Sequence, residues 1–444
     1  MNKGTSKQAK AQEGREMENR CWGFLQPLLA ELHTKVDRRL VKTLLDLVLV
    51  ILMHRNRSSG LLLSELGDQL LGGDRGPAGV KRIASLVHSV RWKSSLIVNY
   101  LWKRADEKVK ELRQQGEDVY VIWDESVLEK SESLQAERLC AVRSTKAARL
   151  KRIKPGYFNP PGGRPIFVPG FNWLQLLVTG RKATPMLAHL CWWSTRGKNA
   201  STKREIEGRI LRKVARMWGR KVIHIWDRGF AGSPWTTLAL NHHLRFIVRW
   251  NIRYHLVGPD GHKHEGWKIA RGKRSWNYRM IWDARRRCHR KTGVIAFAVH
   301  LPEDHRPLFL VVSRPGYGRK PWYLLTTEPI STPQQAWQII FAYARRWQIE
   351  MSLRFTKSEL AFESPRLHAW EARLKVLLIA SLAFAFLLSL LPHFDLLFRL
   401  LSTFCHRTGK WSQATLTPLY RLRLALARLW LTFRPHSLPS LTSG

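Results

Sequence analysis

Acidic residues are scarce in this chain. Asp and Glu number 33 against 75 Lys and Arg, a formal net charge of +42. The basic residues run the full length, which excludes a single basic tail on an otherwise neutral protein. A field of that sign favours a polyanionic partner, DNA or RNA first and an anionic membrane surface second. Cysteine is also sparse. The five residues, at 21, 140, 191, 288 and 405, have no zinc-ligand spacing, and an odd count argues against a disulfide framework. A reducing cytoplasm fits that usage. Long apolar runs are missing too. The polar N-terminus lacks the apolar core of a signal peptide. Leu44–Met53 contains Asp46 and is too short to span a bilayer. Val376–Leu391 is interrupted by Ser381 and Ser389 and stopped by Pro392. A span needs about 20 residues, so this run reads as a buried core helix and no membrane partner is expected.

What the chain has in excess is tryptophan, 20 residues. Some must be core, and basic surfaces with interleaved aromatics commonly stack on bases. A length of 444 residues has room for roughly two to four domains.

Residues 1–20 are predicted to be disordered. Residues 21–115 carry a helical pattern in which Leu61–Asp74 and Gly79–Val90 flank a Gly/Pro turn. Helix–turn–helix with basic residues nearby is a common DNA-binding layout, and a plain helical bundle is the alternative. From residue 116 the pattern changes to mixed α/β. Asp118–Asp124 (DVYVIWD) and Val222–Asp227 (VIHIWD) are strands ending in an acid. Between them lie a basic Pro/Gly-rich stretch, Arg143–Pro165, a hairpin of Trp173–Val178 with Met186–Trp193, and a helix over Lys203–Trp218. Pro234–His242 reads as a helix and Arg245–Trp250 as a strand. Residues 251–320 read as a β-rich insertion, 321–391 return to the α/β unit, and 392–444 form a basic helical tail.

The segment Phe341–Leu360, FAYARRWQIEMSLRFTKSEL, carries Tyr343, Arg346, Glu350 and Lys357 at i, i+3, i+7 and i+14. At 3.6 residues per turn these fall within roughly 60° of one helical face. Thr332, Pro333 and Gln335 supply a capping box and a first-turn proline, and one continuous helix is predicted through Phe362. An exposed helix laced by Arg346–Glu350–Arg354 pairs is the bland alternative.

Asp124 and Asp227 each close an Ile-Trp-Asp strand. Carboxylates converging at adjacent strand ends are costly unless a cation neutralises them, and hard oxygen ligands suit Mg²⁺. Glu350 is the preferred third acid for a two-metal site acting on phosphate. Two rivals stand beside it. Asp283 ends a third Ile-Trp-Asp but runs into Arg285, Arg286 and Arg287, which makes it their expected ion-pair partner. Glu125 abuts Asp124 and should face the other way if the strand continues.

The gapless pattern Tyr-x2-Arg-x3-Glu-x6-Lys resembles the signature of cut-and-paste DDE transposases of the insertion-sequence-four group. Asp227-Arg228-Gly229-Phe230 resembles the segment around that family's second acid, and Asp124 resembles the first. The spacings of 103 and 123 residues are similar to members with a β-rich insertion between the second and third acids. The resemblance covers about residues 117–391. It implies an RNase H-like mixed sheet flanked by helices and interrupted by that insertion, with an N-terminal helical DNA-binding domain. It also implies DNA cleavage and strand transfer with Mg²⁺, for which Mn²⁺ substitutes. Asp124, Asp227 and Glu350 would hold the metal. Arg346 and Lys357 would grip phosphates, with Tyr343, Arg228, and Arg152 and Lys154 of the basic loop as further DNA contacts. Trp250, Trp267, Trp276, Trp282 and Trp322 are candidates to stack on a flipped base. The expected partners are duplex DNA, as terminal inverted repeats and target, and a second copy of the chain on DNA. The expected location is the cytoplasm, at the nucleoid. A catalytically silent DNA-binding derivative and an RNase H-like structure-specific nuclease are the alternatives.

The charge makes one prediction directly. Affinity for any duplex, followed by fluorescence anisotropy, should fall by about a thousand-fold between about 50 and 200 mM salt, because many phosphate contacts release many counterions. A flat salt response would remove the nucleic-acid reading.

Overall fold

The computed structural model describes residues 3–130, 135–144, 166–283, 286–316, 318–405 and 419–433. Helices open the chain: α1 (Lys3–His33), α2 (Arg38–Met53), α3 (Leu63–Leu71), α4 (Gly76–His88) and α5 (Ser95–Gln114). Four strands follow, β1 (Val119–Glu129), β2 (Cys140–Arg143), β3 (Phe167–Gly180) and β4 (Met186–Trp193). Helices and strands then alternate through α6 (Lys203–Met217), β5 (Ile223–Trp226), α7 (Ser233–Asn241) and β6 (Arg245–Arg249). The next stretch holds β7 (His255–Val257), β8 (Lys263–Glu265), α8 (Gly266–Ala270), β9 (Asn277–Asp283), β10 (Cys288–Leu301) and β11 (Asp304–Arg314). After β12 (Trp322–Thr326) come α9 (Pro333–Ala344), α10 (Trp347–Ser358), α11 (Trp370–Leu390), α12 (Phe394–Phe404) and α13 (Leu419–Thr432).

The strands form one mixed sheet in the order β2-β3-β1-β5-β6-β12-β11-β10-β7-β8, with β4 beside β3 and β9 beside β10. β1, β5 and β6 run parallel, and β3 and β12 flank them antiparallel. The predicted class, a mixed α/β sheet flanked by helices and carrying a β-rich insertion, is the one observed. The inserted strands extend the same sheet, because β12 returns beside β6 and pairs with β11.

Side chains alternate across a strand, so each strand feeds two cores. On β1, Tyr120 and Ile122 enter one core, while Val119, Val121 and Trp123 enter the other. On β5, Ile223 and Ile225 join the first core and Trp226 the second. The first core holds α2, α10, α11 and residues of α1, α12 and α13; the second holds α6 and α7. α11 is the one helix among the described residues long and apolar enough to cross a membrane, and 89% of its most apolar window is buried inside the protein. That burial makes it a core helix of this structure, although at 21 residues it is longer than the apolar run alone.

Two expectations change. Where disorder was expected over 1–20, the described residues 3–20 are helical, Met17 is fully buried, and Trp430 Nε1 donates to Gly14 O at 3.1 Å. Arg399 of α12 also pairs with Glu13 at 2.8 Å. Met17 continues, at helical spacing, the buried row of Cys21, Leu25, Leu28 and Leu32 from the helix expected after residue 20, so the helix extends back into this polar segment. Second, the single helix expected through Phe362 is broken at Arg345–Arg346. Both residues stay right-handed, but Arg345 and Arg346 donate to Ala342 and Tyr343, three residues back, which tightens the turn. The capping box at Thr332 and Gln335 forms as expected.

α10 ends in a charged knot. Glu359 has a fully buried side chain bonded by Arg55, through Nη2 at 2.7 Å, and by Arg57. Replacing Glu359 with Ala should lower stability by about 2 kcal/mol. That is below the cost of breaking a fully buried pair, because Arg55 and Arg57 reach solvent. A chemical-denaturation midpoint unchanged from the parent protein would refute this.

Candidate active site

Asp124 and Asp227 meet because of register. Ile122 of β1 lies opposite Ile225 of the parallel β5, and both aspartates sit two residues further on. By the alternation of side chains both point to the face of Ile122 and Ile225, toward α10. β1 continues to Glu129, so Asp124 is within the strand and not at its end. Asp227 does end its strand and caps the following turn, accepting from Gly229 N at 2.7 Å. A Cβ at Gly229 would lie 2.9 Å from Asp227 Oδ1, which accounts for glycine there.

α10 is held over this pair by Gln175. Gln175 is the cross-strand partner of Asp124 on β3, is fully buried, and donates from Nε2 to Ser352 Oγ. Ser352 is two residues from Glu350. Arg346, at the break between α9 and α10, then lies among the acids. Its guanidinium bonds Glu350 and comes within 3.7 Å of Asp124 Oδ2. It also lies 5.8 Å from the ring centroid of Tyr343. Tyr343 is buried against Trp322, with ring centroids 5.2 Å apart.

Burial, and then the neighbouring charge of Asp227, push the Asp124 carboxyl up to about 7, against the pull of Arg346. Glu350 adds a smaller push in the same direction. Burial works against the charge of Arg346, yet Tyr343, Glu350 and Asp124 together hold its pKa above the ordinary value. Burial also raises the Tyr343 phenol.

The structure thus brings Asp124, Asp227, Tyr343, Arg346 and Glu350 together. Lys357 lies seven residues beyond Glu350 on α10, about 10 Å along the axis at 1.5 Å per residue. Arg228 is exposed in the turn after Asp227 and makes no salt bridge among the described residues. Arg152 and Lys154 lie outside the described residues. Arg345, adjacent to Arg346, is structural: it donates to Thr179 Oγ1 at 3.2 Å and to Ala183 O.

The rival acids separate cleanly. Glu125 points to the opposite face of β1 and pairs with Lys203 of α6, where burial and Glu125 raise the carboxyl of Glu207 to about 7. Asp283 is buried, with Arg319 at 2.5 Å and Arg290 at 3.6 Å. Its side-chain partners therefore include Arg290 of β10 and Arg319 of the connection between β11 and β12, while Arg286 reaches it through a backbone N–H at 3.3 Å and Arg285 lies outside the described residues. Of the five candidate tryptophans, Trp250 is buried and Trp322 packs on Tyr343. Trp267 is half-buried beside Lys268 and Arg271. Trp276 and Trp282 are 46% and 54% exposed.

A divalent metal does not fit this arrangement as it stands. Among the described residues no three of His, Cys, Asp and Glu are grouped to hold an ion. The donors are of the right kind, but the Arg346 guanidinium fills the space between Asp124 and Glu350. Sequence reasoning assigned Arg346 to phosphate. It missed Gln175 and Ser352, although a glutamine inside the apolar run Trp173–Val178 was a readable signal.

No family model and no curated protein matches the chain. Seven chains among solved structures do. One is the cryo-EM structure of the piggyBac transposase synaptic complex with hairpin DNA. It is 13% identical, with a TM-score of 0.41, over 96% of this chain and 80% of that one. A likeness at that level does not establish a common family.

The raised Asp124 pKa has a signed consequence. Its neutral form is favoured on folding, so its stabilising effect is complete below about pH 4 and is lost as pH rises through about 7. Asp124→Asn should therefore melt like the parent below pH 4 and above it at pH 8, with the gap opening across that window in thermal scans. An equal gap at both ends would show that the effect is not titration.

Proposed function

We propose that this protein is a DNA transposase of an insertion sequence, moving its element by hydrolysis at the element's ends and strand transfer into target DNA. One observation carries the reading. Asp124 within β1, Asp227 at the end of the parallel β5 and Glu350 in the first turn of α10 act on one another electrostatically, in a strongly basic protein. The Tyr-Arg-Glu-Lys pattern around the third acid adds to it.

In this reading Asp124, Asp227 and Glu350 act on a phosphodiester, with Mg²⁺ or Mn²⁺ as the cofactor. Bound metal would supply charge neutralisation and an activated nucleophile. The chain's own contribution is position. β1 and β5 set two acids in register, and Gln175 fixes the helix that bears the third. Arg346 and Lys357, with Tyr343 and Arg228 nearby, bind the backbone of the terminal repeat, Arg346 with its planar fork and Lys357 as a point charge. Arg152 and Lys154 extend that contact. Terminal inverted repeats and target duplex are the substrates, a homodimer on DNA pairs two ends, and the nucleoid is the place of action.

A silent DNA-binding protein is the second reading, favoured by the guanidinium standing between Asp124 and Glu350. One experiment separates the two. Purified protein is incubated with Mg²⁺ and labelled duplexes taken from the inverted repeats bordering its gene. Nicks at the repeat boundary are expected. Glu350→Ala should abolish them with end affinity within about two-fold, whereas Asp283→Ala should leave cleavage detectable. Specific end binding without any cleavage by the parent protein would leave the silent reading standing, and cleavage surviving in Glu350→Ala would sink the assignment of the third acid.

A further inference from the structure

We infer that Arg346 is an exchangeable cation that keeps the carboxylate site closed until a DNA backbone phosphate draws it out. The inference rests on the transposase reading and concerns how that site is regulated. Its basis is the mismatch between the donors and the ion they would take. Asp124 and Glu350 offer hard oxygens, yet the charge between them is a guanidinium. Two cations do not occupy one small carboxylate site, so Arg346 and a divalent ion compete for the same oxygens.

Arg346 has a second destination. Its side chain is 16% exposed, so it reaches the surface, and its Nε makes no hydrogen bond among the described residues. The buried Tyr343 hydroxyl lies beside it, interacts with the same guanidinium and donates to no acceptor among the described residues. A phosphate diester satisfies both: the guanidinium fork binds two phosphate oxygens in parallel, and the phenol donates to one. The location suits a hinge, because Arg346 sits at the break between α9 and α10. Once Arg346 turns to phosphate, Asp124 and Glu350 lose their counter-charge while Asp227 stays beside them. A group of carboxylates in that state recruits a cation strongly. Binding of duplex DNA and of the divalent ion are therefore coupled positively, and the free protein is protected from cutting without an end in place.

The test measures Mn²⁺ binding by the full chain, from the free-ion electron paramagnetic resonance signal, with and without a duplex bearing the terminal repeat. The parent should bind Mn²⁺ weakly alone and about ten-fold more tightly with DNA, a coupling of about 1.4 kcal/mol. Arg346→Ala should bind Mn²⁺ about ten-fold more tightly than the parent without DNA and should respond little to DNA. Arg346→Lys, which keeps the charge but cannot span both acids, should fall between them, and it serves if the alanine variant does not fold. Adding Glu350→Gln to Arg346→Ala should remove the gain. Equal Mn²⁺ affinity in the parent and both Arg346 variants would overturn the exchange and leave the metal-dependent reading intact. No site-specific Mn²⁺ binding in any form, with DNA present, would sink that reading and the exchange together.

Discussion

Everything at this site follows from placing two aspartates in register on the same face of adjacent parallel strands. Asp124 and Asp227 must share that face, because Ile122 and Ile225 are paired and side chains alternate. Bringing two carboxylates together at a half-buried position is unfavourable without a cation, and the protein supplies one from its own chain in Arg346. The position of α10, the break before it, the raised pKa of Asp124 and the conflict with metal binding are all consequences of that requirement.

The break between α9 and α10 shows how local sequence loses to tertiary demand. Nothing from Gln334 to Phe362 is a proline or glycine, and intrinsic preference favours one helix. Yet Arg345 and Arg346 are pulled to different partners. Arg345 reaches Thr179 and Ala183 at the end of β3, while Arg346 reaches Asp124 and Glu350. Successive residues of a helix point about 100° apart around its axis, so these two neighbours face different partners. The capping box, the first-turn proline and the absence of breakers therefore located the helix and its N-cap, but not the break at Arg345–Arg346.

The acids themselves were legible because strand ends are marked by composition. Ile-Trp-Asp closes Ile223–Asp227 and interrupts an apolar run at Asp124, and a charge at the end of such a run is visible in any single sequence. Asp283 carried the same mark, and only its arginine-rich context distinguished it. What the chain did not reveal was that more distant arginines would also answer it. Arg319 and Arg290 come from elsewhere in the insertion, and their approach depends on how β9, β10 and β11 stack. Pairings fixed by sheet order are long-range facts that spacing alone does not encode.

Net charge is the last place where sequence and structure diverge, and there the difference bears on the site. The Leu/Arg alternation of residues 417–433 reads as a basic tail, yet Arg423 is 2% exposed. Its guanidinium donates to Ile51 O at 2.6 Å, to His54 O at 3.1 Å and to Glu359 O. Helix ends leave carbonyls without internal partners, and a buried guanidinium with several N–H donors answers the ends of α2 and α10 at once. Arg55 and Arg57 close the same corner on the Glu359 carboxylate. α10 is thus fixed at its far end by three arginines and near its middle by Gln175, while its first turn rests on the salt bridge of Arg346 to Glu350. A helix anchored at the middle and the end and tied at the start by an exchangeable charge pair can release Arg346 without moving Glu350. That asymmetry lets a large stock of structural arginines coexist with one that is free to change partners.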